Sequence, residues 1–170
     1  MSLFSALWPS DPAVAHLDRA FRQVGLPSGV RPTPATRWHL TLGFYGNDAV
    51  VPERARFLDD QLSGMTAPAL RLAGAGTFPG VLWVGVEPAT PADRQALRML
   101  ATAAGAGRRF QPHITVARWR LDQPGALMVD HLAAYRGPAW TAASVSLISS
   151  DSGASSRDYT TVHSVPLITW

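Results

Sequence analysis

The sequence predicts an α+β fold, and three observations carry that reading. Helix-like and strand-like segments alternate, but without the strict strand–helix–strand rhythm of a parallel sheet. The C-terminal strands lie close enough to form a hairpin. The pattern His-apolar-Thr-apolar occurs twice, as His39-Leu40-Thr41-Leu42 and His113-Ile114-Thr115-Val116, 74 residues apart. A repeat of that length suggests two similar half-domains, each delivering one strand. No linker divides the chain, so residues 1–170 read as one domain of two lobes.

The elements follow in order. Leu3 to Trp8 is a strand ending at Pro9. Ser10-Asp11-Pro12 gives an N-cap and an early proline, and Val14, Leu17, Phe21 and Val24 continue at helical spacing to Gly25. Arg31-Pro32-Thr33-Pro34 is a stiff loop. Trp38 to Tyr45 is an apolar strand, and Pro52 to Leu62 a helix stopped by Gly64. Leu70 to Ala73 and Val81 to Val86 are strands separated by Gly and Pro. Thr90 caps a helix with Pro91 in its first turn, and Leu97, Leu100 and Ala101 form its buried face. His113 to Trp119 is a strand, and Asp122 to Tyr135 a loop with a short helix. Ser144 to Ser149, a Ser- and Gly-rich turn from Asp151 to Ser156, and Tyr159 to Leu167 make the closing hairpin.

Composition narrows the chemistry. The chain has 170 residues, 46% hydrophobic and 16% charged, which fits an ordered domain. There is no cysteine, so disulfides, thiolate metal sites and cysteine nucleophiles are excluded. All 15 basic residues are arginine, so lysine-dependent catalysis is excluded too. Composition bias accounts for the missing lysines without a functional argument, although guanidinium groups do bind phosphate bidentately. No apolar run approaches the ~20 residues of a membrane span. The first residues lack the basic and apolar stretches of a signal peptide. The expectation is a soluble, cytoplasmic, monomeric protein.

Strand geometry gives the repeat its meaning. Side chains alternate faces, so His39 and Thr41 point one way while Leu40 and Leu42 point the other; His113 and Thr115 behave alike against Ile114 and Val116. The apolar pairs bury and the polar pairs face a cleft. One His-x-Thr on a strand is common and is usually structural; the doubled motif is much more specific. Two imidazoles titrating near neutral pH can act as acid and base, and two hydroxyls can donate to phosphate oxygens. That set suits metal-free, in-line cleavage of a phosphoester. From these residues alone the acid and base remain unassigned between the two histidines.

At these residues the sequence resembles the two-histidine phosphoesterase superfamily, and within it the RNA 2′,3′-cyclic phosphodiesterases also called 2′-5′ RNA ligases. The resemblance rests on Leu3 to Leu7, Trp38 to Gly46, Phe78 to Val86, Phe110 to Arg118 and Val145 to Pro166 with Tyr159. It implies two pseudo-symmetric lobes whose antiparallel sheets line a central cleft, with helices outside. It implies hydrolysis of an RNA 2′,3′-cyclic phosphate end to a 2′-phosphate, with 2′-5′ ligation as a secondary reverse activity. It gives His39 the part of general acid and His113 that of general base, with Thr41, Thr115 and Arg118 on the phosphate, and it implies neither metal nor other cofactor. Strand parity places Arg118 on the core side with Ile114 and Val116, so its presence in the cleft requires a bulge near Ala117 or a reach around the strand end.

Other residues carry weaker signals. Of Trp38, Phe44, Phe110 and Trp119, one is expected to stack on a base, while Phe44 shares parity with Leu40 and Leu42 and is expected to be buried. His16 reads as solvated and His163 as structural. Arg108 and Arg109 steer an anionic substrate or merely solvate a loop. Two further functions stay open: a phosphodiesterase for a small cyclic nucleotide, such as an ADP-ribose cyclic phosphate or an oligoadenylate, and a nucleotide-binding module without turnover.

Overall fold

Strand β1 (Ser2–Leu7) is inserted between two partners, which is why five of its six residues are buried. It pairs antiparallel with β3 (Leu40–Gly46) on one side and with β8 (Ser144–Ser150) on the other; β9 (Tyr159–Pro166) closes this first sheet in the order β3-β1-β8-β9. The second sheet runs β2-β6-β5-β4-β7, from β2 (Arg31–Pro32) and β6 (His113–Arg118) through β5 (Val81–Pro88) and β4 (Ala69–Phe78) to β7 (Arg136–Thr141). Every pairing within either sheet is antiparallel. The computed structural model describes residues 2–120, 126–150 and 159–170.

Two helices form where the caps predict. In α1 (Asp11–Arg22) the Ser10 hydroxyl accepts from the Ala13 N–H at 3.2 Å, and Leu17 and Phe21 turn inward. In α3 (Pro91–Ala103) Thr90 Oγ1 accepts from the Asp93 N–H at 3.1 Å. Asp93 then accepts from the Ala69 N–H at 2.9 Å, tying the helix start to β4. Helices α1 and α4 (Ala126–Leu132) pack on the second sheet, α2 (Val51–Leu62) on β9, and α3 against both β5 and β3. One apolar core, with Leu7, Leu40, Leu72, Val84 and Ile114 fully or almost fully buried, runs beneath both sheets.

The halves echo each other. The unit β1–α1–β3 has its counterpart in β5–α3–β6: strand, helix, then a His-x-Thr strand paired antiparallel with the first. Among the described residues no helix is long and apolar enough to cross a membrane.

Four elements differ from expectation. The loop Arg31–Pro34 contains the short edge strand β2. β4 continues past Ala73 to Phe78, because a register shift between Leu72 and Ala75 absorbs Gly74 at φ 71°. β7, with Gly137 and Pro138 inside it, was not legible as a strand; it lies at the sheet edge, where proline is tolerated. His39 lies just before β3, after a 3₁₀ turn at Ala35–Arg37, rather than inside the strand. The expected turn at Asp151–Ser156 lies outside the described residues.

Candidate active site

Both repeat strands open onto one cleft of about 950 Å³. His39 and Thr41 enter from the first sheet, and His113, Thr115 and Arg118 from the second, so the five residues singled out in the sequence line the same space. Their apolar neighbours Leu40, Leu42, Ile114 and Val116 are buried behind them, as strand alternation requires.

The two histidines are held alike. His39 Nδ1 lies 2.6 Å from the Arg37 carbonyl oxygen, and His113 Nδ1 lies 2.6 Å from the Gln111 carbonyl oxygen. A carbonyl only accepts, so Nδ1 carries the proton in both rings, and among the described residues Nε2 is left without a hydrogen-bond partner. In each case the acceptor is two residues upstream, so the chain entering each motif fixes its own tautomer.

Their surroundings differ. His39 stands on an apolar floor, with ring centroids of Phe4 at 5.0 Å, Trp8 at 5.8 Å and Tyr159 at 5.4 Å. Phe4 belongs to a small cluster with Ala6 and Ile148, separate from the main core. Burial pushes the His39 pKa below the ordinary imidazole value of 6.5. The Arg37 carbonyl opposes that shift, while the positive charges of His113 and Arg118 add to it. His113 meets Phe78 edge-on at 5.1 Å and Trp83 at 6.1 Å.

Arg118 reaches the cleft through a bulge. Leu82 pairs with Ala117 but Trp83 with Thr115, so Val116 is an extra residue. Val116 and Ala117 are both buried, and Arg118 emerges on the side of His113 and Thr115. The bulge thus lies at Val116, next to the anticipated position. The same device reverses the expectation for Phe44. Ser5 pairs with Gly43 but Ala6 with Thr41, which leaves Leu42 extra. Phe44 is therefore 67% exposed and lines the cleft instead of joining the core.

The other aromatic candidates stay structural. Trp38 is 1% exposed, donates from Nε1 to the Thr33 carbonyl at 3.0 Å and meets Phe21 edge-on. Phe110 and Trp119 are half-buried against the core. His163 Nε2 lies 2.8 Å from Asp59 Oδ1 on α2. His16 is exposed yet bonded, its Nδ1 lying 2.8 Å from Tyr135 Oη. Among the described residues no group of three His, Cys, Asp or Glu is placed to hold a metal. Sequence reasoning missed Arg31, Arg37 and the position of Tyr159, all of which line the cleft. Pro32 and Pro34 marked a stiff segment after Arg31 but not where Arg31 points, and Arg37 needed the fold.

Comparison with solved structures gives the same architecture. The protein TT0787 of Thermus thermophilus superposes with a TM-score of 0.75 at 23% identity, over 98% of this chain and 97% of that one. Escherichia coli LigT complexed with NADP+ gives 0.74 at 23% identity over the same shares. LigT complexed with 3′-AMP gives 0.72 at 22% identity, again over 98% and 97%. At these identities the likeness is one of fold. No curated protein sequence matches the chain. The doubled His-x-Thr strands facing one cleft agree with the match of residues 9–154 to the family described as the 2′-5′ RNA ligase superfamily, and the chain belongs to that superfamily.

Proposed function

We propose that the protein hydrolyses the 2′,3′-cyclic phosphate at an RNA end to a 2′-phosphate. The observation that carries the reading is the matched pair of histidines, each with Nδ1 tied to a carbonyl two residues upstream and Nε2 left for proton transfer. His113 Nε2 takes a proton from water as the water oxygen attacks phosphorus. The P–O3′ bond breaks, and the O3′ atom takes the proton of His39 Nε2. The 2′-phosphate and a 3′-hydroxyl result, and exchange with solvent resets both rings. Thr41 and Thr115 donate to the non-bridging oxygens, and Arg118 neutralises their charge. With an RNA 5′-hydroxyl in place of water, the same steps give a 2′-5′ linkage.

The low pKa of His39 bears on the acid role. In the empty cleft, burial and the charge of Arg118 disfavour its proton. A bound phosphate sets a negative charge among those groups and restores the proton, so the acid is armed by the substrate.

The test is a short RNA with a 2′,3′-cyclic phosphate end, incubated in EDTA with wild type, His39→Ala and His113→Ala, with the product isomer identified. Conversion to the 2′-phosphate by wild type, lowered about 10²- to 10⁴-fold in each variant, supports the mechanism. No conversion, or activity lost in EDTA and restored by a divalent ion, overturns it. A 3′-phosphate product exchanges the roles of the two histidines.

A further inference from the structure

We infer that Arg31 and Arg37 form a second phosphate subsite on the cleft wall, which holds the phosphodiester preceding the reacting RNA end. This rests on the reading of the cleft as a cyclic phosphodiesterase site and names its substrate as an oligonucleotide rather than a cyclic mononucleotide.

Among the described residues, the positive charge lining the cleft exceeds what the reacting group needs. A cyclic phosphate carries one negative charge, for which Arg118 and one protonated histidine suffice. The cleft holds two more guanidinium groups, and among the described residues that line it there is no Asp or Glu. Nor is either arginine in an ion pair among the described residues. Like charges gathered in a concave surface repel one another, and an anionic ligand relieves that repulsion. A volume of about 950 Å³ also lies at the upper end of the range for small-molecule sites.

Both arginines sit on one fixed arm. Arg31 belongs to β2 and pairs with Arg118 across the edge of the second sheet, so the two side chains start from neighbouring positions. Pro32 and Pro34 restrict the backbone that follows. The Thr33 N–H donates to the Val116 carbonyl at 2.8 Å, and the Thr33 carbonyl accepts from Trp38 Nε1 at 3.0 Å. Arg37 is half-buried, and its N–H closes a turn to the Pro34 carbonyl at 2.9 Å. Its guanidinium lies 5.7 Å from the centroid of the Tyr159 ring, and that ring meets His39 edge-on. A cation–π contact restrains the guanidinium, so less freedom is lost when a phosphate is bound. The Arg37 carbonyl, not its side chain, holds His39, so a side-chain substitution leaves that hydrogen bond in place.

The experiment compares an adenosine 2′,3′-cyclic phosphate with the dinucleotide that bears one further phosphodiester, on wild type, Arg31→Ala, Arg37→Ala and the double variant. Wild type is expected to prefer the dinucleotide. The ratio of the two kcat/KM values should fall about 10- to 100-fold in the double variant, through KM, as expected for losing bonds to a charged group. Arg37→Lys should recover part of it. A ratio unchanged in the double variant overturns the subsite. An ADP-ribose cyclic phosphate turned over better than the dinucleotide, and lost with the same variants, overturns the RNA assignment and gives the subsite to a pyrophosphate. Should wild type turn over none of these, the proposed activity fails, and the subsite is read from binding of a labelled single-stranded pentaribonucleotide against salt. The slope of log affinity on log salt should shrink by about 0.7 for each arginine removed. An unchanged slope overturns the subsite there too.

Discussion

Phe44 and Arg118 occupy the same position in the two halves of the molecule, five residues after the motif histidine, and each is turned into the cleft by a bulge two residues earlier. Simple alternation buries both. The extra residues Leu42 and Val116 break the alternation, so each is followed by a second buried residue, Gly43 or Ala117, before the chain faces the cleft again. The repeat thus places an apolar ring on one wall and a guanidinium on the other. Such a pair suits a ligand with a flat base at one end and an anion at the other.

Phe44→Ala is expected to weaken the enzyme without weakening the fold. The side chain is 67% exposed, so its removal leaves the core intact. Loss of one base stack is worth about 1–3 kcal/mol, or roughly a 5- to 150-fold rise in KM for an RNA end. Steady-state kinetics and thermal melting on the same sample check this. Trp38→Ala makes the contrast: a buried indole removed costs about 3–5 kcal/mol in stability.

Ser5→Ala is expected to loosen the joint between β1, β3 and α3. Tyr45 donates its hydroxyl proton to the Ala104 carbonyl at 2.7 Å, so at its 2.8 Å contact with Ser5 it accepts the serine proton. Ser5 Oγ in turn accepts from the Gly43 N–H at 3.1 Å. The alanine leaves a buried N–H and the tyrosine oxygen short of partners, at a cost of about 1–3 kcal/mol. A lowered midpoint in urea, with unchanged slope, is the expected readout.

Gly43→Ala is expected to be worse, because its clash is with backbone. A Cβ at Gly43 would lie 2.1 Å from the Ala104 carbonyl oxygen at the end of α3. Neither strand nor helix end can yield without moving Phe44 or the Tyr45 relay. Overpacking of this kind costs about 1–3 kcal/mol or more. Loss of stability together with a raised KM for RNA is the outcome to look for. An alanine variant as stable as wild type counts against a close approach of β3 to α3.

These bulges also mark the limit of what the sequence revealed. Helices α1 and α3 were legible because Ser10, Thr90 and their prolines act within one turn. The site was legible because His39 and His113 stand in identical local patterns, which needs no knowledge of packing. Phe44 was misplaced because a bulge depends on the partner strand: Leu42 is extra only in relation to Ser5 and Ala6. For Arg118 the family pattern conflicted with parity, and a bulge resolves the conflict. Arg37 was missed because its task depends on Tyr159, which follows 122 residues later.

The pH dependence should separate the charge of Arg118 from its contact with phosphate. Acid–base catalysis by two histidines gives a bell-shaped kcat/KM. Because burial and positive neighbours lower the His39 pKa, one limb should lie below 6.5. Arg118→Gln removes one of those positive neighbours, so the His39 pKa rises and the limb that reports it moves towards 6.5. The maximum falls as well, since the phosphate loses a counter-charge, but a fall alone does not report on the histidine. Folding stability carries the same sign. A histidine whose pKa is lowered in the fold contributes stability that is present above 6.5 and is lost as pH falls through the folded value. His39→Gln should therefore flatten the acid side of a plot of melting temperature against pH, and Arg118→Gln should flatten it in part. A limb that stays in place in Arg118→Gln means that the guanidinium acts on the phosphate alone.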